Sequence, residues 1–464
     1  MSDNVNLKYI NFLSAVAALG GFLFGYDTAV ISGTIAQVGD QFDLDTVELG
    51  WYVGCALVGS IGGVAVSGLL GDKFGRKRTL FVSALLFLIS ALLCAIAPSF
   101  GTLVAARIIG GIGIGVVSVI SPMYISELAV AKYRGRLVSL YQLAITVGFL
   151  GAYIVNYGLL QYSTGGAAAL PEGWMKLVFH DEIWRGMLGV SGVPAVVFFF
   201  ILFSIPESPR WLLLAGKESR ARTILERIYH LPEEAASQVT TIMSALQGSG
   251  KMDWSLLRQS GVRKAILIGA AIAILGQFMG VNAVLYYGPT IFESSGLSGG
   301  DSLFYQVIVG LVNVLTTILA VFIIDKVGRK KLVYLGVSGM IVFLLLIALY
   351  FKFESSLPSI LMLVFFLAYV FCCAISISAV IFVLLSEMYP NKIRGIAMSI
   401  AGFSLWVGTY LIGQLTPWML ENLTPGGTFL FFAFMCLPYM FIVWKWVPET
   451  TGKSLEDIER HWIH

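Results

Sequence analysis

A chain of 464 residues that is 57% apolar and only 12% charged, with a mean hydropathy of +0.84, is too oily for a soluble protein. Soluble domains average about 25% charged residues, so the bilayer is the natural solvent here. The net charge of +3 is small and gives no reason to expect nucleic acid as a partner.

A membrane-spanning helix needs about 20 predominantly apolar residues. Twelve segments qualify, at about 9–32, 50–70, 79–97, 102–124, 137–160, 184–205, 264–291, 303–324, 332–351, 359–386, 396–420 and 427–447. The first follows Lys8 and contains Asp27 with no clear processing site after it, so it reads as an uncleaved span. The fourth carries Gly110-Gly111-Ile112-Gly113-Ile114-Gly115, whose small residues let helix backbones approach closely. That run spells a dinucleotide fingerprint but lacks the preceding strand. Between spans six and seven lies a polar stretch, 206–262, opening Pro206-Glu207-Ser208-Pro209-Arg210-Trp211. Lys217, Glu218, Arg220, Arg222, Glu226 and Arg227 follow among Leu, Ile and Ala, which predicts short amphipathic helices on the cytoplasmic surface. The tail at 454–459 is polar and predicted helical. The five cysteines sit in apolar segments without metal-ligand spacing, so they read as packing and no metal is expected.

Loop charges set the orientation. Lys73, Arg76, Lys77, Arg78, Lys132, Arg134, Arg136, Lys326, Arg329, Lys330, Lys331, Lys392 and Arg394 all follow even-numbered spans. The opposite loops hold only Lys176, Arg185 and Lys352, and the first of them is acidic. Short cytoplasmic loops collect Lys and Arg, so both termini are expected in the cytoplasm.

An internal repeat divides the chain. Gly71-Asp72-Lys73-Phe74-Gly75-Arg76-Lys77-Arg78 follows span two, and Asp325-Lys326-Val327-Gly328-Arg329-Lys330-Lys331 follows span eight. In the first copy, two glycines allow a tight hairpin. Glu127 and Arg134-Gly135 follow span four; Glu387 and Arg394-Gly395 follow span ten. Pro206-Glu207-Ser208 follows span six; Pro448-Glu449-Thr450 follows span twelve. The sequence therefore predicts an all-α integral membrane protein of two parallel six-helix halves, 1–205 and 263–464, joined by a cytoplasmic helical linker, 206–262. Carriers built from such halves hold substrate near mid-membrane and rock around it. Asp72, Arg76, Glu127 and Arg134, with Asp325, Arg329, Glu387 and Arg394, fall at the cytoplasmic ends of spans. Ion pairs among them would latch the cytoplasmic side shut; ordinary surface pairing is the alternative.

These halves and hairpins, with Arg107-Ile108-Ile109-Gly110-Gly111, Pro206–Trp211 and Pro448–Thr450, resemble the sugar porter branch of the major facilitator superfamily. The resemblance covers nearly the whole chain. It is nearest to bacterial sugar–proton symporters, those for xylose included.

Two full charges fall deep within spans, Asp27 and Arg107, both in the outer halves of their helices. A lone charge there is costly, so each should face the interior and find a partner. A permanent salt bridge and a proton site are both open readings. The resemblance favours the second: it implies an acidic residue at the Asp27 position in symporters and Asn in facilitators. For substrate, the side-chain amides Gln142, Gln277, Asn282 and Asn313 lie within spans, where they serve either a sugar or helix–helix hydrogen bonds. Tyr286, Phe382 and Trp406 are the best-placed aromatics. The resemblance implies sugar contacts at Phe24, Gln142, Gln277, Asn282, Asn313 and Trp406. Phe149, Gly276, Phe382 and Leu405 depart from the xylose pattern, removing three amides, which points to a larger, less hydroxylated or differently oriented substrate.

The expectation is proton-coupled import of a monosaccharide, hexose or pentose, by alternating access. The alternatives are an inositol-like polyol symporter, an uncoupled sugar facilitator, or a non-transporting receptor, which long signalling tails would mark. No nucleophile–base set, metal cluster or phosphate loop suggests an enzyme. No cofactor is expected beyond the proton as coupling ion. The expected partners are a small sugar and the lipid bilayer, with the chain acting as a monomer in a bacterial inner membrane.

Overall fold

The computed structural model describes residues 5–166, 170–248, 259–353, 357–389 and 394–447. The side chains of Asp325, Phe382 and Arg394 lie outside that description, as do Pro448–Thr450 and the tail. The described chain is helical throughout, except for connecting turns and one isolated bridge between Val5 and Tyr229.

Among the described residues, twelve helices are long and apolar enough to cross a membrane: Leu7–Gly33, Thr46–Phe74, Arg76–Ile96, Phe100–Leu128, Arg134–Gly165, Ile183–Ser204, Ser260–Ser294, Gly299–Ile324, Arg329–Lys352, Ser359–Leu385, Gly395–Asn422 and Thr424–Trp446. They are called spans one to twelve below. Each coincides with a segment expected from hydropathy, and most run several residues further. Polar caps explain part of this. Ser99 Oγ accepts from the Thr102 amide while Thr102 Oγ1 accepts from the Ser99 amide, so span four starts at Phe100. The hairpin after span two also differs from expectation. Gly71 is still helical, and the turn is made at Gly75 alone, with φ +95°. Gly328 repeats it with φ +98°. An L side chain is strained in that region, so one glycine per hairpin carries the turn.

Spans two and four pack through paired small residues. A Cβ on Gly59 would lie 3.1 Å from Gly111 Cα, and one on Gly63 3.0 Å from Gly115 Cα. Four-residue spacing on both helices places these glycines on facing stripes, so the backbones meet without side chains between them. Three later spans are interrupted instead, span six among them, at Ser191. Span seven is interrupted between Phe278 and Val281, where Gly280 takes φ +91°. Span ten is interrupted at Ser376.

The stretch after span six forms helices Pro209–Leu214, Glu218–Ile228 and Pro232–Gly248. Their apolar faces cover one another: Trp211, Leu212, Leu213, Ala221, Leu225 and Val239 form a small core of their own. The amphipathic pattern is thus satisfied by protein.

Contacts divide the chain differently from the sequence repeat. One unit comprises Met1–Thr28, Val58–Phe149 and Leu188–Lys251; the other comprises Ala29–Leu57, Leu150–Met187 and Met252–His464. The second unit therefore takes in the portions of spans one, two, five and six that lie away from the basic loops. Tyr153 of span five donates to the Leu285 carbonyl at 2.8 Å, Tyr287 to Gly413 at 2.6 Å, and Gln414 to Val47 at 2.9 Å. A Cβ at Gly50 would collide with the Gln414 carbonyl. Within this unit, the ends of the spans away from the basic loops are closely packed.

Candidate functional site: a buried ion pair and a broken-helix amide cluster

In the first unit, Arg107 Nη1 donates to Asp27 Oδ1 at 3.1 Å, and Nη2 donates to the Asp27 carbonyl at 3.1 Å. The two side chains are 2% and 7% exposed. The sequence locally permits this because Gly110, one turn beyond Arg107, leaves room: a Cβ there would press on Ser90 Oγ at 2.5 Å and approach Asp27 Oδ2 at 3.6 Å. Among the described residues Asp27 Oδ2 has no hydrogen-bond partner. A buried carboxylate oxygen without a donor is costly, and binding a proton removes its charge. Phe24 and Gln142, also in this unit, are half-buried.

The charges near the basic loops form a tight knot in the same unit. Arg76 bonds both Glu127 oxygens, at 2.9–3.2 Å, and donates to the Gly71 carbonyl at 2.9 Å and Asp72 Oδ1 at 3.1 Å. Arg76 and Glu127 are each 5% exposed. Ser208 Oγ donates to Glu127, the Lys77 amide donates to Glu207 at 3.0 Å, and Trp211 Nε1 donates to the Asp72 carbonyl at 2.8 Å. Tyr124 donates to the Pro206 carbonyl at 2.7 Å. Pro206–Trp211 is therefore the clasp that ties the linker to spans two to four. Glu207 and Ser208 were not among the expected site residues, although their motif was visible. Arg134 stands apart, exposed, near Tyr229. Burial pushes the Tyr229 phenol up, Glu234 adds to this, and Arg134 opposes it.

The second unit repeats part of the knot. Arg329 Nη2 donates to Glu387 at 3.2 Å. Lys330 donates to the Trp444 and Val447 carbonyls at 3.1 and 2.9 Å, as Lys77 does to Phe203 at 3.3 Å. Each of these two Arg–Glu pairs joins helices within its own unit.

Two of the four amides, Gln277 and Asn282, meet at the break in span seven, in the second unit. Gln277 precedes it and Asn282 follows it. Asn282 Nδ2 donates to Gln277 Oε1 at 2.6 Å, and Thr409 Oγ1 donates to the same oxygen at 3.1 Å. Tyr369 holds the break by donating to the Met279 carbonyl at 2.7 Å. Both amides are half-buried. Among the described residues, this leaves the Gln277 amide nitrogen as donor and the Asn282 amide oxygen as acceptor, the pair a hydroxyl needs. Trp406 lies one turn before Thr409 on span eleven and is nearly buried. Tyr286 and Asn313 are buried, and the Asn313 carbonyl accepts from Thr317 at 2.8 Å. Thr409 and Tyr369 were missed because lone hydroxyls in apolar spans carry no sequence signal.

Twelve spans, a buried ion pair and amides converging on a broken helix define a membrane carrier of the major facilitator fold. The chain belongs to the sugar (and other) transporter family, whose model matches residues 13–462. It is 39% identical over 459 residues to the arabinose-proton symporter of Bacillus subtilis, covering 99% of this chain and 96% of that protein. It is 36% identical to the D-xylose-proton symporter of Escherichia coli, covering 100% and 97% respectively. The inward-open, partially occluded structure of the E. coli xylose transporter XylE matches with TM-score 0.83 at 35% identity, covering 96% of this chain and all of that one.

Proposed function

We infer that this chain imports a monosaccharide together with a proton, by alternating access. The observation that carries this reading is the buried Asp27–Arg107 pair with its unpartnered carboxylate oxygen. A proton on Asp27 cancels its charge and loosens Arg107, and that change of partners couples proton entry to turnover. The relatives described as arabinose- and xylose-proton symporters support the same assignment. No catalytic role is assigned to any residue. Sugar-induced alkalinisation of a lightly buffered medium by cells or proteoliposomes is the direct test; sugar entry without proton movement means a facilitator.

Gln277 and Asn282 bind sugar hydroxyls in this reading, with Trp406 as an apolar wall; Phe24, Gln142, Tyr286, Phe382 and Asn313 are the further candidate contacts. Gln277→Ala and Asn282→Ala each remove a hydrogen bond of about 0.5–1.5 kcal/mol. Each should therefore weaken sugar affinity by about two- to tenfold, with thermal stability nearly unchanged. Affinity unchanged in the double variant moves the site elsewhere. Which sugar fits is settled by counterflow of labelled pentoses, hexoses and polyols in proteoliposomes.

The basic-loop end is the cytoplasmic one in this reading, with both termini there and the halves 1–205 and 263–464 moving about the linker. The charged sets after spans two, four, eight and ten then hold that side in its closed state. The chain acts as a monomer in the inner membrane, with no cofactor other than the proton. Cysteines introduced on the exposed face of Glu218–Ile228 should resist impermeant maleimide in intact cells and react after lysis. Labelling from outside would reverse the orientation.

A further inference from the structure

The end of span seven nearest the linker carries a stripe outside the sites described above. Ser260, Arg263, Lys264, Leu267, Ile268 and Ala271 recur at helical spacing, so they share one face. The stripe is polar and basic over its first turn and apolar beyond. A rise of 1.5 Å per residue puts Ala271 about 16 Å deeper than Ser260. Ile442 and Trp446 of span twelve form the opposite wall, and the groove between has a volume of about 440 Å³. Arg263 and Lys264 are exposed, and among the described residues lining the groove none is acidic. Lys445 adds a third cation nearby, its Nζ 5.5 Å from the Trp446 ring centroid.

We propose that this groove binds one anionic diacyl phospholipid. Its phosphate sits on Ser260, Arg263 and Lys264. One acyl chain runs along Leu267, Ile268 and Ala271 against Ile442 and Trp446. The order of chemistry along the stripe is the argument: a cationic mouth at the membrane surface, then apolar walls at acyl depth, matches a phospholipid read from headgroup to tail. A soluble anion would have no use for the deeper walls, and a neutral lipid none for a basic mouth. Basic pockets between spans at the cytoplasmic side are suited to anionic headgroups.

Trp446 is the reporter. Its fluorescence is taken as the difference between the wild type and Trp446→Phe in phosphatidylcholine nanodiscs, titrated with brominated phosphatidylglycerol or brominated phosphatidylcholine. The brominated anionic lipid should half-quench it at about a tenfold lower mole fraction than the neutral one, given two cations at the mouth. Arg263→Gln with Lys264→Gln should abolish that preference while leaving quenching by the neutral lipid unchanged. Arg263→Lys with Lys264→Arg should keep it, which separates charge from folding. Equal quenching by both lipids in the wild type overturns the proposal, as does a preference that survives the double glutamine variant. Relief of quenching by excess inorganic phosphate assigns the mouth to a free anion and overturns it as well.

Discussion

Replacing Asp27 by Asn should abolish uphill accumulation while sparing exchange. The substitution keeps size and hydrogen-bonding capacity but removes the charge that Arg107 holds at 3.1 Å. It imitates the protonated state permanently. At a membrane potential of ~100 mV, one proton per sugar sustains about a 50-fold sugar gradient. The variant should sustain none, relaxing to equal concentrations on both sides. Sugar-induced alkalinisation should vanish with it. Labelled sugar should still exchange between loaded vesicles and medium, because nothing at Gln277, Asn282 or Thr409 has changed. Stability should fall, since Arg107, itself 2% exposed, loses its compensating charge, although the Asn side-chain oxygen and the backbone carbonyl can still accept from it. Full gradient-driven accumulation in this variant removes Asp27 from the coupling mechanism.

Glu127→Ala should be far more damaging to stability than Glu387→Ala, despite their matched places in the repeat. Arg76 is 5% exposed and takes most of its charged contacts from Glu127. Removing that carboxylate leaves the buried guanidinium with only the exposed Asp72 as a counter-charge, a loss of about 3–5 kcal/mol. Arg329 and Glu387 are 14% and 24% exposed, so solvent screens what remains, and the loss should be nearer the ~1 kcal/mol of an exposed pair. Glu127 also accepts from Ser208, so its loss unfastens the linker. Thermal unfolding in detergent should rank the two variants. Limited proteolysis should cut the 209–248 helices faster in Glu127→Ala alone. Equal losses in both would mean that the buried knot is no stronger than its counterpart.

The Asp27–Arg107 encounter could be anticipated because two charges at similar depth in oily helices have few other solutions. The bonding at the break in span seven could not. Gln277 and Asn282 were recognisable as intramembrane amides, but their bond to each other depends on Gly280 bending the chain and on Thr409 arriving from span eleven. The same holds for the basic ends. The repeat of Asp, Glu and Arg was plain, yet the Arg–Glu pairing within each unit, the place of Glu207 and Ser208 in the clasp, and the isolation of Arg134 needed three-dimensional neighbours.

By itself the sequence determined the twelve spans and set the expectation of their orientation and of two halves. Those follow from composition and order: hydrocarbon thickness sets span length, and loop charge sets topology. Only the tertiary structure decided which ends pack. Tyr153, Tyr287 and Gln414 bind backbone carbonyls more than 100 residues away. A carbonyl has no sequence signature, and every residue supplies one, so local pattern cannot say which of them a buried hydroxyl or amide will meet.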